Sequence, residues 1–372
     1  FSNAFWVCVT VDPVLSDDLE YAADVAKRYA GRINRWEVVV SPTALDKSLE
    51  YVNVLHDNAS NTPVFLAAES PEVIQEALQR LARKGVNGLV ALREQAPSDF
   101  STFQRSAQLS GIERADFAVR YMVANADAPV AFGLSDVLNE IAHGASQVVI
   151  PAASLYAANT FGELYVSASA LNTFLKDTTF VGNLPTADPN VFAYCFRRFG
   201  VWCVAAGFCT GEGVLALPVG TAEGLSLKDA FGNELALPSL DAGGVLKIPA
   251  GKDPVYVSGT GGEVLWRAAH AAAREAARVM MANAFVRDAL PSDFTAILNE
   301  VVSSKDQKLD RTKFFVLART FPFLERSHAV GTLSQDAVLS LQAELSQLLR
   351  PLCIVEQESK EPFIEPLQDI IG

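Results

Sequence analysis

Residues 28–42 read Arg28-Tyr29-Ala30-Gly31-Arg32-Ile33-Asn34-Arg35-Trp36-Glu37-Val38-Val39-Val40-Ser41-Pro42. A helix ends near Tyr29 and Gly31, and a strand runs from Ile33 to Val40. Proline cannot donate to a sheet ladder, so Ser41-Pro42 closes the strand. The strand ends on apolar residues and a serine, with Glu37 as the acidic side chain inside it.

The same helix–strand alternation extends outward on both sides. Upstream, Phe5-Trp6-Val7-Cys8-Val9-Thr10 reads as a short buried strand. Ser16 can cap a helix running to about Tyr29, with Leu19, Ala22, Ala23 and Ala26 on its inner side. Downstream, Leu49 to His56 reads as a helix and Val64 to Ala68 as a strand. Residues 70–84 carry a strong helix pattern. Ser70 caps, Pro71 occupies the first helical position where its missing N–H costs nothing, and Ile74, Ala77, Leu78 and Leu81 form the inward stripe. Leu89 to Leu92 is the next strand, residues 111–126 a helix, Val130 to Leu134 a strand, and 163–175 a further helix. Such alternation predicts a mostly parallel sheet with helical cover.

The pattern changes at Phe180. Short apolar runs at Val191–Phe196, Val201–Ala206, Gly213–Leu217 and Gly244–Ile248 alternate with turns such as Asp229-Ala230-Phe231-Gly232-Asn233, which predicts an antiparallel sandwich. Residues 264–287 then form an alanine-rich helix with Trp266, Ala269, Ala273, Ala277, Met280 and Ala284 on one side. Residues 303–313 read as a polar loop. Thr332-Leu333-Ser334-Gln335 matches a capping box that opens a last helix with Val338, Leu341, Leu345 and Leu348 on one face. The predicted fold class is therefore α/β: a partial or complete (β/α)8-type barrel, followed by a β-sandwich and a helical C-terminal module. The domains fall at 1–180, 181–260 and 261–372.

Composition narrows the partners. The chain has 372 residues, half of them apolar, with 22 Phe, and carries a formal charge of −13. An acidic field repels phosphate backbones and anionic lipid, which argues against nucleic acid. Neutral sugars and basic protein faces are easier partners. No stretch reads as a membrane span or a leader peptide. The chain begins with Phe1, and its compartment is left open. Five scattered cysteines make no disulfide framework; Cys8, Cys195 and Cys203 sit in apolar runs as small core residues. His56, His143, His270 and His328 are dispersed, no C-x-x-C pair exists, and no zinc site or other cofactor is expected. Gly259-Thr260-Gly261-Gly262 lacks a phosphate-loop lysine and reads as a hinge.

The order of these motifs resembles the later part of a clan-A glycoside hydrolase, a (β/α)8 barrel with an appended β-sandwich. Arg28 to Ile33 followed by Trp36-Glu37-Val38 resembles the approach to that family's fourth strand. Ala115 to Tyr121 and Val130 to Asp136 resemble its seventh helix and eighth strand. Tyr165 to Asn183 resembles its terminal helix and link. Asp229 to Asn233 with Asp253 to Val257 resembles the closing strands of the sandwich. Residues 264–372 match nothing in that family. Fewer than eight barrel strands are visible, so the resemblance implies that early strands are absent or lie outside this chain. At the family's Trp-Asn-Glu-Pro corner this chain has Val39-Val40-Ser41-Pro42. The resemblance thus places the acid/base position on Ser41 and its supporting asparagine on Val40.

Glycoside hydrolysis needs two carboxyl groups flanking the scissile bond. Serine cannot supply the acid, and loss of that donor costs roughly two to four powers of ten in rate. Other carboxylates are weaker candidates. Glu37 lies on the same strand side as Ser41 but below the mouth, and reads as a structural, hydrogen-bonded residue. Glu94 and Glu69 follow strands, and Asp136 follows the expected eighth strand, where it could bind a hydroxyl. The sequence pairs no two of them, so no catalytic residue is assigned. Trp6, Trp36, Trp202 and Trp266 lie in apolar segments and read as core. The expected function is a non-catalytic glycosidase-like scaffold or assembly protein with weak carbohydrate binding. It would meet a protein partner or a second copy through the helical module. The alternative is an active hydrolase with an atypical or missing acid.

Overall fold

In a computed structural model of the chain, the described residues are 8–15, 18–59, 61–81, 86–93, 116–121, 133–142, 145–150, 156–157, 160–221, 223–260 and 263–304. The chain forms two compact units, Phe1–Phe132 with His143–Ser154, and Gly133–Ala142 with Leu155–Gly372.

The first unit alternates strand and helix: β1 (Cys8–Val11), α1 (Leu19–Arg28), β2 (Arg35–Val39), a 3-10 turn (Pro42–Ala44), α2 (Leu45–Asn58), β3 (Val64–Ala68), α3 (Pro71–Leu81), β4 (Gly88–Arg93), β5 (Asp116–Tyr121) and β6 (Gln147–Val149). The six strands pair in chain order, every neighbour parallel. All five residues of β3 are buried, as befits a strand covered on both faces. The α3 stripe of Ile74, Ala77, Leu78 and Leu81 is buried as its spacing predicts. Helix α1 starts from Asp18, whose carboxylate accepts the Tyr21 N–H at 2.7 Å, and not from Ser16.

Two elements expected around the middle of the chain take other forms. The helix expected over 111–126 is replaced at its centre by β5, which pairs with β4 along its whole length. Asp116-Phe117-Ala118-Val119-Arg120-Tyr121 alternates with a period of two and carries β-formers at every second position, and the parallel ladder uses both. The strand expected over Val130–Leu134 does not reach its end: Leu134 opens a helix, α4 (Leu134–Ala142), while Val130–Phe132 lie outside the described residues. The Asp136 carboxylate accepts the Gly133 N–H at 2.7 Å. This closes the first turn from its third residue, a local bond that the strand reading overlooked.

The second unit holds α4, a short antiparallel pair β7 (Tyr156–Ala157) and β8 (Thr160–Phe161), and α5 (Glu163–Leu175). Antiparallel strands follow: β9 (Thr179–Asn183), β10 (Val191–Arg198), β11 (Val201–Phe208), β12 (Gly213–Pro218), β13 (Ser226–Lys228), β14 (Val245–Ala250) and β15 (Val255–Thr260). They form a five-stranded sheet ordered β13-β15-β11-β10-β9 and a separate β12-β14 pair. Phe199 and Gly200, both at positive φ (44° and 80°), make the two-residue turn between β10 and β11. Positive φ at both positions matches the twist of the flanking strands.

Helices α6 (Glu263–Ala282), α7 (Ala284–Ala289) and α8 (Ser292–Ser303) close the described chain. The single helix expected over 264–287 breaks at Asn283, and α8 was not anticipated. The buried side of α6 carries Ala268, Ala269, Ala273, Ala276, Ala277 and Met280; Ala284 of the expected stripe is exposed and Trp266 is half-buried. One apolar core joins these alanines to residues of both antiparallel sheets and to Leu298 and Val301 of α8. Gly259 is part of β15 and not a hinge, since a Cβ there would stand 2.5 Å from the Trp202 ring. Among the described residues no helix is long and apolar enough to cross a membrane. The helix expected after Thr332 lies outside the described residues.

Candidate functional site

The site is built on the concave face of the parallel sheet. Within β2, Arg35 and Glu37 are two residues apart and share one face. Both oxygens of Glu37 are occupied: Arg35 donates from Nη2 to Oε1, and Arg120 of β5 donates from Nη2 to Oε2. Arg120 Nη1 also donates to the Thr10 hydroxyl of β1 at 2.8 Å. Arg35 Nη1 donates to Oε1 of Gln147 in β6 at 2.6 Å. The Arg35 guanidinium lies 4.7 Å from the centroid of the Phe65 ring of β3.

These contacts measure the curl of the sheet. In strand order, β2 and β6 are four steps apart, as are β1 and β5. Flat, four steps would separate them by about 19 Å, far beyond the observed hydrogen bonds. The sheet therefore rolls into a partial barrel, and the Arg35–Glu37–Arg120 triad spans its interior. Next along the same face lies a small apolar cluster of Phe65, Ala67, Val90, Leu92 and Ala118, with Val39 packed against it.

Glu37 is fully buried and the Arg35 side chain nearly so, while Arg120 is one-fifth exposed. A buried carboxylate is tolerated when its lone pairs are matched by charge-assisted donors, and two guanidiniums supply them. The consequence is chemical as well as structural. Both Glu37 oxygens are already bonded to guanidiniums and closed off from the surface, and among the described side chains meeting across the interior Glu37 is the one carboxylate. A glycosidic bond needs two, roughly 5–10 Å apart.

The other candidates are scattered. Val40 is buried, and Ser41 caps the 3-10 turn, its hydroxyl taking the Thr43 N–H at 3.4 Å and lying 2.9 Å from the Thr43 hydroxyl. Glu69 is exposed past the end of β3, and Asp136 is spent on the start of α4. Glu94 and Trp6 lie outside the described residues. Trp36 and Trp202 are buried as expected, and so are Cys195 and Cys203; burial pushes both thiols up from their ordinary range. No group of three or more metal-ligating side chains occurs among the described residues. Sequence reasoning missed both arginines. Arg35 carried a signal, a cation two residues from a glutamate inside an otherwise apolar strand, whereas Arg120 was hidden by the helix assignment.

No protein-family model matches the chain. No curated protein is similar to it. Among solved structures, a family 5 glycoside hydrolase from Bacteroides vulgatus superposes with a TM-score of 0.45 at 10% identity, over 70% of this chain and 72% of that one. An Anoxybacillus alpha-amylase gives 0.41 at 11% identity, over 65% of this chain and 63% of its own length, so this chain spans less than two thirds of that enzyme. A family 30 subfamily 8 xylanase from Clostridium acetobutylicum gives 0.33 at 8% identity, over 69% of this chain and 95% of that one. The likenesses are distant and spread over several glycoside hydrolase families.

Proposed function

We propose that this chain is a non-catalytic, glycosidase-like scaffold that assembles with another chain and makes weak carbohydrate contact. The observation that carries the loss of catalysis is the Arg35–Glu37–Arg120 triad, which turns the interior carboxylate into a cross-sheet tie. The strand mouth beside it offers Val39, Val40 and Ser41 and no acid. Assembly is supported by the helical C-terminal region. The alanine side of α6 is consumed by the unit's own core, so a partner surface falls to other residues of that region.

The test is hydrolysis. Purified chain is incubated with aryl glycosides and oligosaccharides of xylose, glucose and mannose, with Glu37→Gln as the comparison. Equal, background release from both proteins is the expected result. Release by the parent chain that disappears when a single acidic residue is replaced would establish an active hydrolase and overturn the proposal.

A further inference from the structure

A groove of about 530 Å³ runs between α5 and the five-stranded sheet, wholly within the second unit. Its volume lies in the range of small-molecule sites. The floor comes from three adjacent strands. Ser226, Ser258 and Cys203 stand in one row across β13, β15 and β11, with Lys228 and Tyr256 in the next. The Ser226 and Ser258 hydroxyls are 2.8 Å apart. One wall is the α5 face bearing Ser169, Thr173 and Phe174. Opposite it, the Asp229–Asn233 turn comes so near that a Cβ on Gly232 would lie 3.3 Å from Ala170. Tyr165 and Phe231, 39% and 40% exposed, stand at the rim.

The charged side chains around the groove already have contacts of their own. Arg198 donates from Nη2 to the last carbonyls of α5, those of Thr173 and Phe174. Lys228 pairs with Glu234 at 3.1 Å. The Asp229 carboxylate accepts N–H groups of Phe231 and Asn233 inside its own turn, at 2.9 and 2.8 Å. No carboxylate lines the groove. Two polar atoms of its lining are not answered. Tyr256 is 3% exposed, its ring stacked on Phe174 at 4.5 Å, and its hydroxyl has no hydrogen-bond partner among the described residues. The Nε of Arg198 is buried and lacks one as well. Buried donors are nearly always bonded, so two at one groove point to a missing acceptor.

We propose that this groove binds a neutral ring polyol of the pyranoside type. A cationic ligand would find no carboxylate in the lining, and an anionic one would find Lys228 paired with Glu234 and Arg198 turned toward the carbonyls of α5. A ring with several hydroxyls supplies acceptors to Tyr256 and Arg198, exchanges bonds with the Ser226–Ser258 pair, and lays its less polar face on Tyr165 and Phe231. The inference deepens the carbohydrate-contact part of the proposed function and rests on it; it is independent of whether the curled sheet has lost catalysis.

The intact chain is titrated with methyl glucopyranoside, methyl xylopyranoside and benzoate, followed by calorimetry and saturation-transfer NMR, in parent, Tyr256→Phe and Ser258→Ala forms. The pyranosides are expected to bind and benzoate not to. Tyr256→Phe should weaken pyranoside affinity about five- to tenfold, the worth of one hydrogen bond, without lowering the thermal midpoint. Ser258→Ala should weaken it by a smaller factor. Pyranoside affinity unchanged in both variants would overturn the groove and leave the carbohydrate reading standing. Benzoate binding in place of the pyranosides would overturn the ligand class. Failure of both pyranosides and benzoate to bind would overturn the site and the carbohydrate reading together.

Discussion

In the first unit a rolled parallel sheet is tied across its middle by a buried carboxylate and two guanidiniums. The second unit closes two antiparallel sheets and its helices on a large apolar cluster, alanine-rich along α6, with Glu140 and His270 as its buried carboxylate and imidazole among the described residues. Both interiors exclude water, but they tolerate change differently. A salt-bridged interior is specified by atom positions: each donor has one acceptor, and removing a partner strands the other. An alanine-lined interior is specified by distance: α6 lies close to the sheet because its contact side chains are short. The first should break on losing a charge and the second on gaining volume.

The sharpest break is Glu37→Gln. It keeps the shape and removes the charge that Arg35 and Arg120 share, leaving buried cations uncompensated. Equilibrium unfolding in denaturant should show a loss of about 3–5 kcal/mol. The triple change Arg35→Met, Glu37→Leu, Arg120→Met tests whether charge or mere filling holds the curl. Apolar replacement of a complete buried ionic group is often near neutral, so the triple variant should recover most of what Glu37→Gln loses. If neither variant loses stability, the triad serves only as bulk; if the triple variant loses as much as Glu37→Gln, the ionic contacts themselves hold the curl.

Ala273→Leu is the matching test of the second unit. Ala273 is fully buried on α6 and belongs to the shared core. Added methylenes in a well-packed core cost about 1–3 kcal/mol. Ala284→Leu, at the start of α7 past the break at Asn283 and exposed, should change stability little. A stabilising Ala273→Leu would mean that α6 can move off the sheet freely and that close approach is not what the alanines provide.

The two regions were also unequally legible from sequence. Stripes with a 3.6 period gave α3 residue by residue and Ala269, Ala273, Ala277 and Met280 of α6, because burial on a helix repeats locally. The period-two hexapeptide at 116–121 was lost inside a longer helical assignment, and with it Arg120. The triad could not have been read from local pattern in any case. Arg35, Glu37 and Arg120 are joined by the curl of a sheet, a property of strand order and twist that no window of sequence contains. The groove is similar: Ser226, Ser258 and Cys203 are aligned only by the register of three strands distant in the chain. Asp136 shows the opposite error, a local capping bond read as a long-range site.

Tyr194 gives the smallest effect and the one with a pH signature. Its hydroxyl donates to Asn139 Oδ1 of α4 at 3.0 Å, linking that helix to β10 inside the second unit. Burial, reinforced by the Cys209 thiolate and the Asp136 carboxylate, pushes its phenol from the ordinary 10.0 up to about 12. The folded state therefore holds this proton more tightly than the unfolded chain. The associated stability is fully present below about pH 10 and is lost as pH rises toward 12. Tyr256 and the buried cysteine thiols are shifted the same way, so the alkaline decline is shared. Tyr194→Phe should cost about 1 kcal/mol near neutral pH, for the lost hydrogen bond. It should also flatten the decline between pH 10 and 12 without abolishing it. Denaturant midpoints of parent and variant taken across that window decide the matter: parallel curves would mean that Tyr194 titrates as freely in the folded chain as in the unfolded one.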